Sequence, residues 1–242
     1  MDCVDLLERQ ADAWGLNLGV AQRECLLRYS RLLADYDRAN VIGTRNMREI
    51  IAHHVLDSLS LLLFGPISGV ERLADVGSGG GLPGIPLKIA KPEVDVTLVE
   101  STSKKSRFLQ HASETLELEG LKVSNTRVED LGRASTHREA YDVVTARALA
   151  RLSVVAEYCV PLLRVGGWTI SMKGRLEQGE LVEGERAAEA LGARISERQE
   201  VPWIPEIETK ERQLVVLEKV RETPARYPRR PGAAAKKPLG SR

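Results

Sequence analysis

Hydrophobic residues recur along this chain in two alternating patterns, one typical of helices and one typical of buried strands. Apolar positions at helical spacing run from Val4 to Ala39 and from Met47 to Phe64. Short segments that predict strands, most of them apolar, lie at about 73–76, 94–99, 121–124, 141–145, 168–172, 194–201 and 213–220, with helical segments between most of them. Because strands that alternate with helices favour an α/β fold, we predict a seven-stranded, mostly parallel sheet with helices on both faces.

A glycine-dense loop separates the first two of these strands. The chain reads Asp75-Val76-Gly77-Ser78-Gly79-Gly80-Gly81-Leu82-Pro83-Gly84, then a short helical segment, then a strand that ends at Glu100. This order predicts a βαβ unit whose loop lies against a ligand. Five glycines occur in the eight positions 77–84, although each one costs about 0.5 to 1 kcal/mol of backbone entropy in regular structure. A turn without a ligand needs fewer glycines, so we favour a cofactor site over a ligand-free turn.

The glycine spacing fits two classes of cofactor. The glycines from Gly79 to Gly84 match the dinucleotide pattern GxGxxG, whereas Asp75 to Gly81 match the DxGxGxG loop of methyltransferases that use S-adenosylmethionine (SAM). Asp75 would repel the pyrophosphate of a dinucleotide but attract the ammonium and sulfonium of SAM, so it favours SAM. Glu100, at the end of the second strand, suits the ribose hydroxyls of either cofactor.

The residues that follow the glycines carry a resemblance to a known family. The stretch from Asp75 to Leu87, with its Leu-Pro-Gly-Ile-Pro continuation, resembles the signature of the glucose-inhibited division protein B family. Members of this family are bacterial methyltransferases that modify N7 of a guanine in small-subunit ribosomal RNA. The similarity runs from about Asn40 to Lys219 and includes the segment His54-Val55-Leu56-Asp57-Ser58. It implies a Rossmann-like class I SAM-dependent methyltransferase fold, SAM as cofactor, and the 530-loop guanine of 16S ribosomal RNA in the small ribosomal subunit as substrate.

The resemblance also implies which residues bind the cofactor. The family's adenine-side pair falls on Val128 and Glu129, in the loop after the third strand, and its Ser-Arg-Ala segment falls on Ala146-Arg147-Ala148. Arg147 and Lys173 end the fourth and fifth strands, where we expect them to orient the cofactor or the guanine. The expected cofactor-binding residues are Asp75, Gly77, Gly79, Gly81, Leu82, Glu100, Val128, Glu129 and Arg147.

Positive charge is unevenly distributed along the chain. The formal net charge is +1, but residues 221–242 hold seven Lys and Arg residues and only one acid. Prolines in this tail disfavour helix and sheet, so we expect an extended segment whose cations contact phosphates, with a disordered solubilising end as the alternative. With the family resemblance, the expected RNA-binding residues are Lys104, Lys105, Arg107, Lys173, Arg212, Arg229 and Arg230, and a solvated helix face is the alternative for the first three.

Two positions depart from the family pattern. Ile42 stands where the family has the threonine of Asn-Leu-Thr, and Gln213 stands where it has a histidine. A contact that depends on that hydroxyl or on that imidazole is therefore not expected in this chain. The arginine that precedes the histidine is retained as Arg212, so its role is transferable.

Composition limits the class of protein further. With 242 residues and 43% hydrophobic content, the chain can bury one substantial core, and we divide it into an N-terminal helical extension (1–66), a methyltransferase core (67–220) and a basic proline-rich tail (221–242). The three cysteines are scattered, so we expect neither a disulfide framework nor a metal site. The chain has no leader-like start, no apolar stretch of about 18 residues and no heptad repeat, so we expect a cytoplasmic monomer.

Methylation of guanine N7 requires few catalytic groups. N7 carries a free lone pair and no proton, so the transfer needs in-line placement and exclusion of water but no general base or nucleophile. The chain lacks the motifs of two other base methylations, because Cys159 does not follow a proline and no Pro-Pro pair occurs. These absences favour a ring nitrogen as the methyl acceptor.

Two other functions stay open at the level of the residues alone. An NAD-dependent oxidoreductase would bind NAD and not SAM. A non-enzymatic ribosome-binding module would bind small-subunit RNA regardless of Gly77 and Gly79. Binding of SAM and loss of function on substitution of these glycines distinguish the methyltransferase from both.

Overall fold

The structure, a computed structural model, describes residues 3–64, 67–201 and 212–241. Its strands are β1 (Arg72–Val76), β2 (Asp95–Val99), β3 (Leu121–Ser124), β4 (Tyr141–Arg147), β5 (Leu163–Lys173), β6 (Ala193–Glu200) and β7 (Gln213–Lys219). Its α-helices are α1 (Cys3–Ala13), α2 (Val20–Asp35), α3 (Met47–Ile50), α4 (Asp57–Leu59), α5 (Gly84–Ala90), α6 (Ser103–Thr115), α7 (Val128–Leu131), α8 (Leu152–Cys159), α9 (Gln178–Leu191) and α10 (Ala233–Lys236).

Seven strands within the described ranges form one sheet, in the order β3-β2-β1-β4-β5-β7-β6. Strands β1 to β5 pair in parallel with one another, and β7 runs antiparallel to both β5 and β6. The seven-stranded, mostly parallel sheet predicted from the hydrophobic pattern is thus confirmed. The strand order reverses between β1 and β4, so the loops at the carboxyl ends of these two strands border the crevice in which such folds bind ligands.

Helices cover both faces of the sheet, and this explains why most residues of its central strands are buried. Successive residues of one strand enter different buried clusters because side chains alternate between the two faces. Leu98 packs in a cluster with Leu26 of α2 and Phe108 of α6, whereas the adjacent Val99 packs with Val128 of α7 and Val155 of α8.

The N-terminal helices share their buried core with the sheet. Leu26 of α2 belongs to the same cluster as Leu98 of β2. The buried Tyr29 hydroxyl donates a hydrogen bond to the Gly80 carbonyl at 2.6 Å. Helix α2 therefore covers one side of the glycine loop. The expected end of the N-terminal extension, residue 66, lies outside the described ranges.

The helix predicted over Met47 to Phe64 is not one regular helix. Helix α3 passes into a π-helix at Ile51–Leu56, which is followed by α4 and by a 3-10 turn at Ser60–Leu63. Hydrophobic periodicity did not predict this change, because wider and tighter turns preserve a roughly continuous apolar face. Short π-helical segments are frequent at functional sites, and this one contains His53 and His54.

The C-terminal segment corrects the prediction of an extended tail. Tyr227 is buried against residues of α9 and β7, and Ala233–Lys236 forms the helical turn α10. Proline restricts the backbone only at and just before its own position, and the alanines of α10 favour helix. This segment is therefore folded onto the rest of the protein.

Candidate cofactor and substrate site

The buried acidic residue of β1, Asp75, stabilises the glycine loop. Asp75 is fully buried, and its carboxylate accepts hydrogen bonds from the Gly84 amide at 3.2 Å and from the Thr145 hydroxyl at 3.0 Å. Burial raises the pKa of Asp75 to about 6, and the hydrogen bonds oppose this rise. The carboxylate thus holds the loop in place, so any attraction between Asp75 and a cationic cofactor acts through the loop and not by direct contact.

Four of the five loop glycines pack closely against neighbouring residues of the fold. At Gly77, Gly80, Gly81 and Gly84, an added Cβ would lie 2.9 Å or less from a neighbouring atom. The number of glycines therefore does not by itself require a ligand, which corrects that part of the sequence argument. Gly79 differs, because the nearest atom to an added Cβ is 3.8 Å away, although its φ of +57° is also left-handed. The loop is therefore open at Gly79, where no neighbouring atom would crowd a side chain.

Glu100, at the carboxyl end of β2, is joined to this open position. Its carboxylate accepts hydrogen bonds from the Gly79 amide at 3.1 Å and from the Thr102 amide at 2.7 Å. A carboxylate accepts about four hydrogen bonds, so acceptor positions remain for the hydroxyl groups of a ligand. Leu82 is half-buried at the end of the loop. The open glycine and the acceptor carboxylate fit the nucleoside part of SAM.

The loop after β3 lies beside Glu100, as the parallel register of β2 and β3 requires. The Asn125 side-chain amide donates to the Glu100 carbonyl at 2.8 Å, and Val128 packs against the residues that end β1 and β2. Glu129 is almost fully buried, and its carboxylate accepts a hydrogen bond from the Gly232 amide at 2.8 Å. The Glu129 side chain is therefore directed to the C-terminal segment.

Three of the predicted cationic residues meet in one cavity of about 400 Å³ at the carboxyl ends of β4 and β5. Arg147 ends β4 opposite Met172 of β5, and Lys173 is the next residue of β5. Arg212, which precedes β7, completes the group. The sequence placed Arg147 and Lys173 at this edge, whereas their proximity to Arg212 follows only from the position of β7 beside β5.

Asp57 of α4 holds two of these cations together. Its carboxylate oxygens lie 3.4 Å from Nε of Arg147 and 2.7 Å from a guanidinium nitrogen of Arg212. Arg147 also donates to the His53 carbonyl and to Nδ1 of His54, each at 2.8 Å. Burial and the Arg147 charge lower the pKa of His54 to about 4, so this ring is neutral near pH 7 and can accept the hydrogen bond. The π-helical segment thus positions the Arg147 guanidinium.

Lys173 is held by a separate acidic residue. Its ammonium donates to the Ala150 carbonyl and lies 2.8 Å from Oε1 of Glu180 in α9. The same Glu180 oxygen accepts a hydrogen bond from the Leu152 amide at 2.8 Å. The cations of this cavity are therefore fixed by carboxylates before any substrate binds.

The remaining candidate RNA-binding residues lie elsewhere. Lys104 and Arg107 are exposed in the first turns of α6, where they line a cavity of about 440 Å³, and Lys105 beside them is half-buried. Arg229 forms an ion pair at 2.5 Å with the buried Glu157 of α8, whereas Arg230 is exposed. The structure thus brings Lys173 and Arg212 together but separates them from α6 and from the C-terminal segment.

Sequence reasoning missed the acidic partners of these cations. Asp57, Glu157 and Glu180 were assigned no role in the site. The signal that identifies Glu157 is its position as the one acid within the apolar sequence of α8, because a carboxylate there must be paired when it is buried. Glu180 lies in an amphipathic helix with several acids, so nothing in the sequence distinguishes it.

Three further observations concern metal ligands, membrane spans and the buried cysteine of the described residues. In the part of the chain that the structure describes, no group of three or more His, Cys, Asp or Glu residues is arranged to hold a metal ion. Within the same residues, no helix has the length and apolar character needed to cross a bilayer. Cys159 is fully buried, and burial strongly raises the pKa of its thiol, so it is not poised as a nucleophile.

Comparison with known sequences gives consistent matches over most of the chain. A sequence model of the family described as rRNA small subunit methyltransferase G matches residues 22–215. The curated ribosomal RNA small subunit methyltransferase G of Rubrobacter xylanophilus is 56% identical over 236 residues, which cover 97% of this chain and 90% of that protein. The protein of the same description from Roseiflexus castenholzii is 45% identical over 238 residues, which cover 98% of this chain and 100% of that protein.

Comparison with solved structures concerns the fold alone. The branched-chain polyamine synthase of Thermus thermophilus aligns with a TM-score of 0.60 at 14% identity, covering 87% of this chain and 67% of that one. The StiE O-MT structure aligns with a TM-score of 0.53 at 12% identity, covering 70% and 75% of the two chains. The Rossmann-like arrangement around the glycine loop is thus shared with proteins of very different sequence.

Proposed function

Because this chain belongs to the rRNA small subunit methyltransferase G family, we propose that it transfers a methyl group from SAM to N7 of a guanine in the 530 loop of 16S ribosomal RNA. The family match carries the proposal, since residues 22–215 include the glycine loop, Arg147, Lys173 and Arg212. Neither the oxidoreductase nor the non-enzymatic alternative is favoured by any observation.

The cofactor would be held by groups at the carboxyl ends of β1, β2 and β3. The backbone at Gly77 and Gly79 would border it, Glu100 beside Gly79 would accept hydrogen bonds from its ribose hydroxyls, and Val128 would lie on its adenine side. When bound, SAM supplies an electrophilic methyl group on a sulfonium. Glu100 and the loop fix the position of that ligand relative to the cavity that contains Arg147.

The substrate guanine would enter the cavity that contains Arg147, Lys173 and Arg212. A cation that donates to guanine O6 fixes the base while the N7 lone pair stays free to attack. Asp57 and Glu180 restrain the three side chains, so little conformational freedom is lost when RNA binds. The role of these residues is orientation and exclusion of water, because N7 has no proton to remove.

RNA outside the cavity would contact the exposed cations of α6. Lys104 and Arg107, with Lys105 between them, lie at the carboxyl edge of the sheet near Glu100. Their contacts would be to phosphates, which position the RNA without reading its sequence. We further propose that the protein acts as a monomer in the cytoplasm and that its substrate is the small ribosomal subunit. The phosphates of the RNA in this subunit fit this arrangement of cations.

A paired glycine substitution tests the cofactor site. Gly79→Ala and the control Gly15→Ala both introduce a Cβ at a left-handed φ with no atom within 3.4 Å, so both have a similar backbone cost. Titration calorimetry should show micromolar binding of SAM and S-adenosylhomocysteine, and no binding of NAD, to the wild type and to Gly15→Ala. We expect Gly79→Ala to lose at least roughly tenfold in affinity.

Methyl transfer to small subunits that lack the modification then tests the reaction. Radiolabel should appear at guanine N7, and Arg147→Ala should lose most of the transfer. Binding of NAD alone would establish the oxidoreductase. Binding of small-subunit RNA without SAM binding, and without sensitivity to Gly79→Ala, would establish the ribosome-binding module.

A further inference from the structure

After β7, the chain crosses over the loop that follows β3. The residues between 223 and 240, which we call the C-terminal strap, are held there by hydrogen bonds to that loop. Arg138 donates to the carbonyls of Thr223 and Tyr227, each at 2.7 Å, and Arg133 donates to the Pro228 carbonyl at 2.9 Å. These bonds all go to strap backbone, so they specify its path.

A buried ion pair anchors the strap at its centre. The Glu157 carboxylate is 1% exposed and accepts hydrogen bonds from the Arg229 amide at 2.9 Å and from its guanidinium at 2.5 to 3.1 Å. A buried carboxylate left without its partner is strongly unfavourable, so this pair couples strap and α8 tightly. Because Arg229 is engaged here, its guanidinium is not directed at RNA.

The strap is also bonded to the residues predicted beside the adenine. The Gly232 amide donates to the Glu129 carboxylate at 2.8 Å, and Tyr158 of α8 hydrogen-bonds the same carboxylate. Glu129 is 2% exposed, and Val128 before it packs with Val76 and Val99, which end β1 and β2. The position of this loop therefore depends on a residue about a hundred positions further along the chain.

We infer that the C-terminal strap is a structural part of the cofactor site and that Arg229 is a positioning residue, which acts through Glu129 to place the loop after β3 against the adenine. This inference rests on the proposed function, because it assigns the loop to the adenine of SAM. By this inference, Arg229 contributes to the affinity for the cofactor and does not have the RNA-binding role expected from the sequence.

Arg229→Ala tests the inference against Lys236→Ala, an exposed strap residue whose loss removes the same charge. Calorimetry with S-adenosylhomocysteine should give a Kd raised roughly tenfold for Arg229→Ala and within about twofold of wild type for Lys236→Ala. With small subunits as substrate, KM for SAM should rise for Arg229→Ala while kcat at saturating SAM is retained. General destabilisation would instead lower kcat through loss of active enzyme.

Arg229→Lys is a second variant for the same measurement of Kd, to be used if Arg229→Ala does not fold. It keeps the positive charge beside Glu157 but lacks the planar fork, so its Kd should fall between those of the wild type and the alanine variant. A folded Arg229→Ala or Arg229→Lys protein with the wild-type Kd would overturn the inference and leave the proposed function intact. Failure of the wild type to bind SAM or S-adenosylhomocysteine would overturn the proposed function first, and the inference with it.

Discussion

A single buried carboxylate determines how the glycine loop responds to pH. Asp75 has no exposure to solvent, and its hydrogen bonds to Gly84 and Thr145 do not fully compensate for the lost hydration. Burial therefore raises its pKa to about 6. The native protein keeps a proton on Asp75 at pH values where the unfolded chain has released it.

We expect Asp75→Asn to remove one component of the pH dependence of stability. Because the native pKa of Asp75 is raised, the contribution of Asp75 to the free energy of unfolding falls as pH rises from about 4 to about 6. The difference between wild type and variant should shift by up to about 3 kcal/mol over that window, measured by urea unfolding at several pH values. The exposed Asp130→Asn variant is the control, and a constant difference for Asp75→Asn would contradict the expectation.

Asp57 provides a second prediction at this scale. Asp57→Asn leaves Arg147 and Arg212 close together without the carboxylate between them, so the guanidinium groups should lose their fixed positions. We expect methyl transfer to small subunits to fall at least about tenfold while the Kd for S-adenosylhomocysteine stays near the wild-type value. Glu185→Gln, an exposed charge loss on α9, should change neither quantity. Equal loss of cofactor affinity and transfer would show that Asp57 supports the whole fold.

At the scale of elements, the close packing of α8 on α9 reverses the usual preference for alanine over glycine inside a helix. Alanine is normally favoured over glycine inside a helix by up to about 1 kcal/mol. At Gly184 of α9, however, an added Cβ would lie 2.4 Å from Cδ2 and 2.6 Å from Cγ of Leu152. The two helices approach each other at this glycine.

Gly184→Ala should therefore destabilise the protein by about 1 kcal/mol or more, despite its better helix propensity. Gly179→Ala is a matched control on the same helix, because nothing lies within 4 Å of its added Cβ. Thermal unfolding of both variants checks the prediction. A Gly184→Ala protein as stable as Gly179→Ala would mean that Leu152 moves aside without cost.

The elements also show which parts of the fold could be predicted from the sequence. The hydrophobic pattern predicted all seven strands and their mostly parallel arrangement, because a strand buried on both faces has a run of apolar residues in the sequence. The π-helix at Ile51–Leu56 was not predictable, since it depends on tertiary contacts such as those between Arg147 and the His53 carbonyl. The strap was missed for the same reason: its partners, Glu157 and Glu129, are distant in sequence.

At the scale of the whole molecule, the exposed cations of α6 lie at the same edge of the sheet as the glycine loop. The association of the protein with RNA should therefore depend strongly on salt concentration. We expect Lys104→Ala and Arg107→Ala each to weaken binding to small subunits and to reduce the slope of log K against log salt by about 1. Lys91→Ala, at the opposite edge of the sheet, is the control. Unchanged slopes for both α6 variants would remove α6 from the RNA interface.

The two ends of the chain meet the same region of the protein. Tyr29, near the start, donates to the Gly80 carbonyl, and Gly232, near the end, donates to the Glu129 carboxylate. During synthesis on the ribosome, α2 and the glycine loop emerge long before the strap. If Gly232 and Arg229 complete the adenine side, a nascent chain can fold its sheet before it can bind cofactor tightly. Acquisition of full activity would then require that the strap has been synthesised and has reached Glu129 and Glu157.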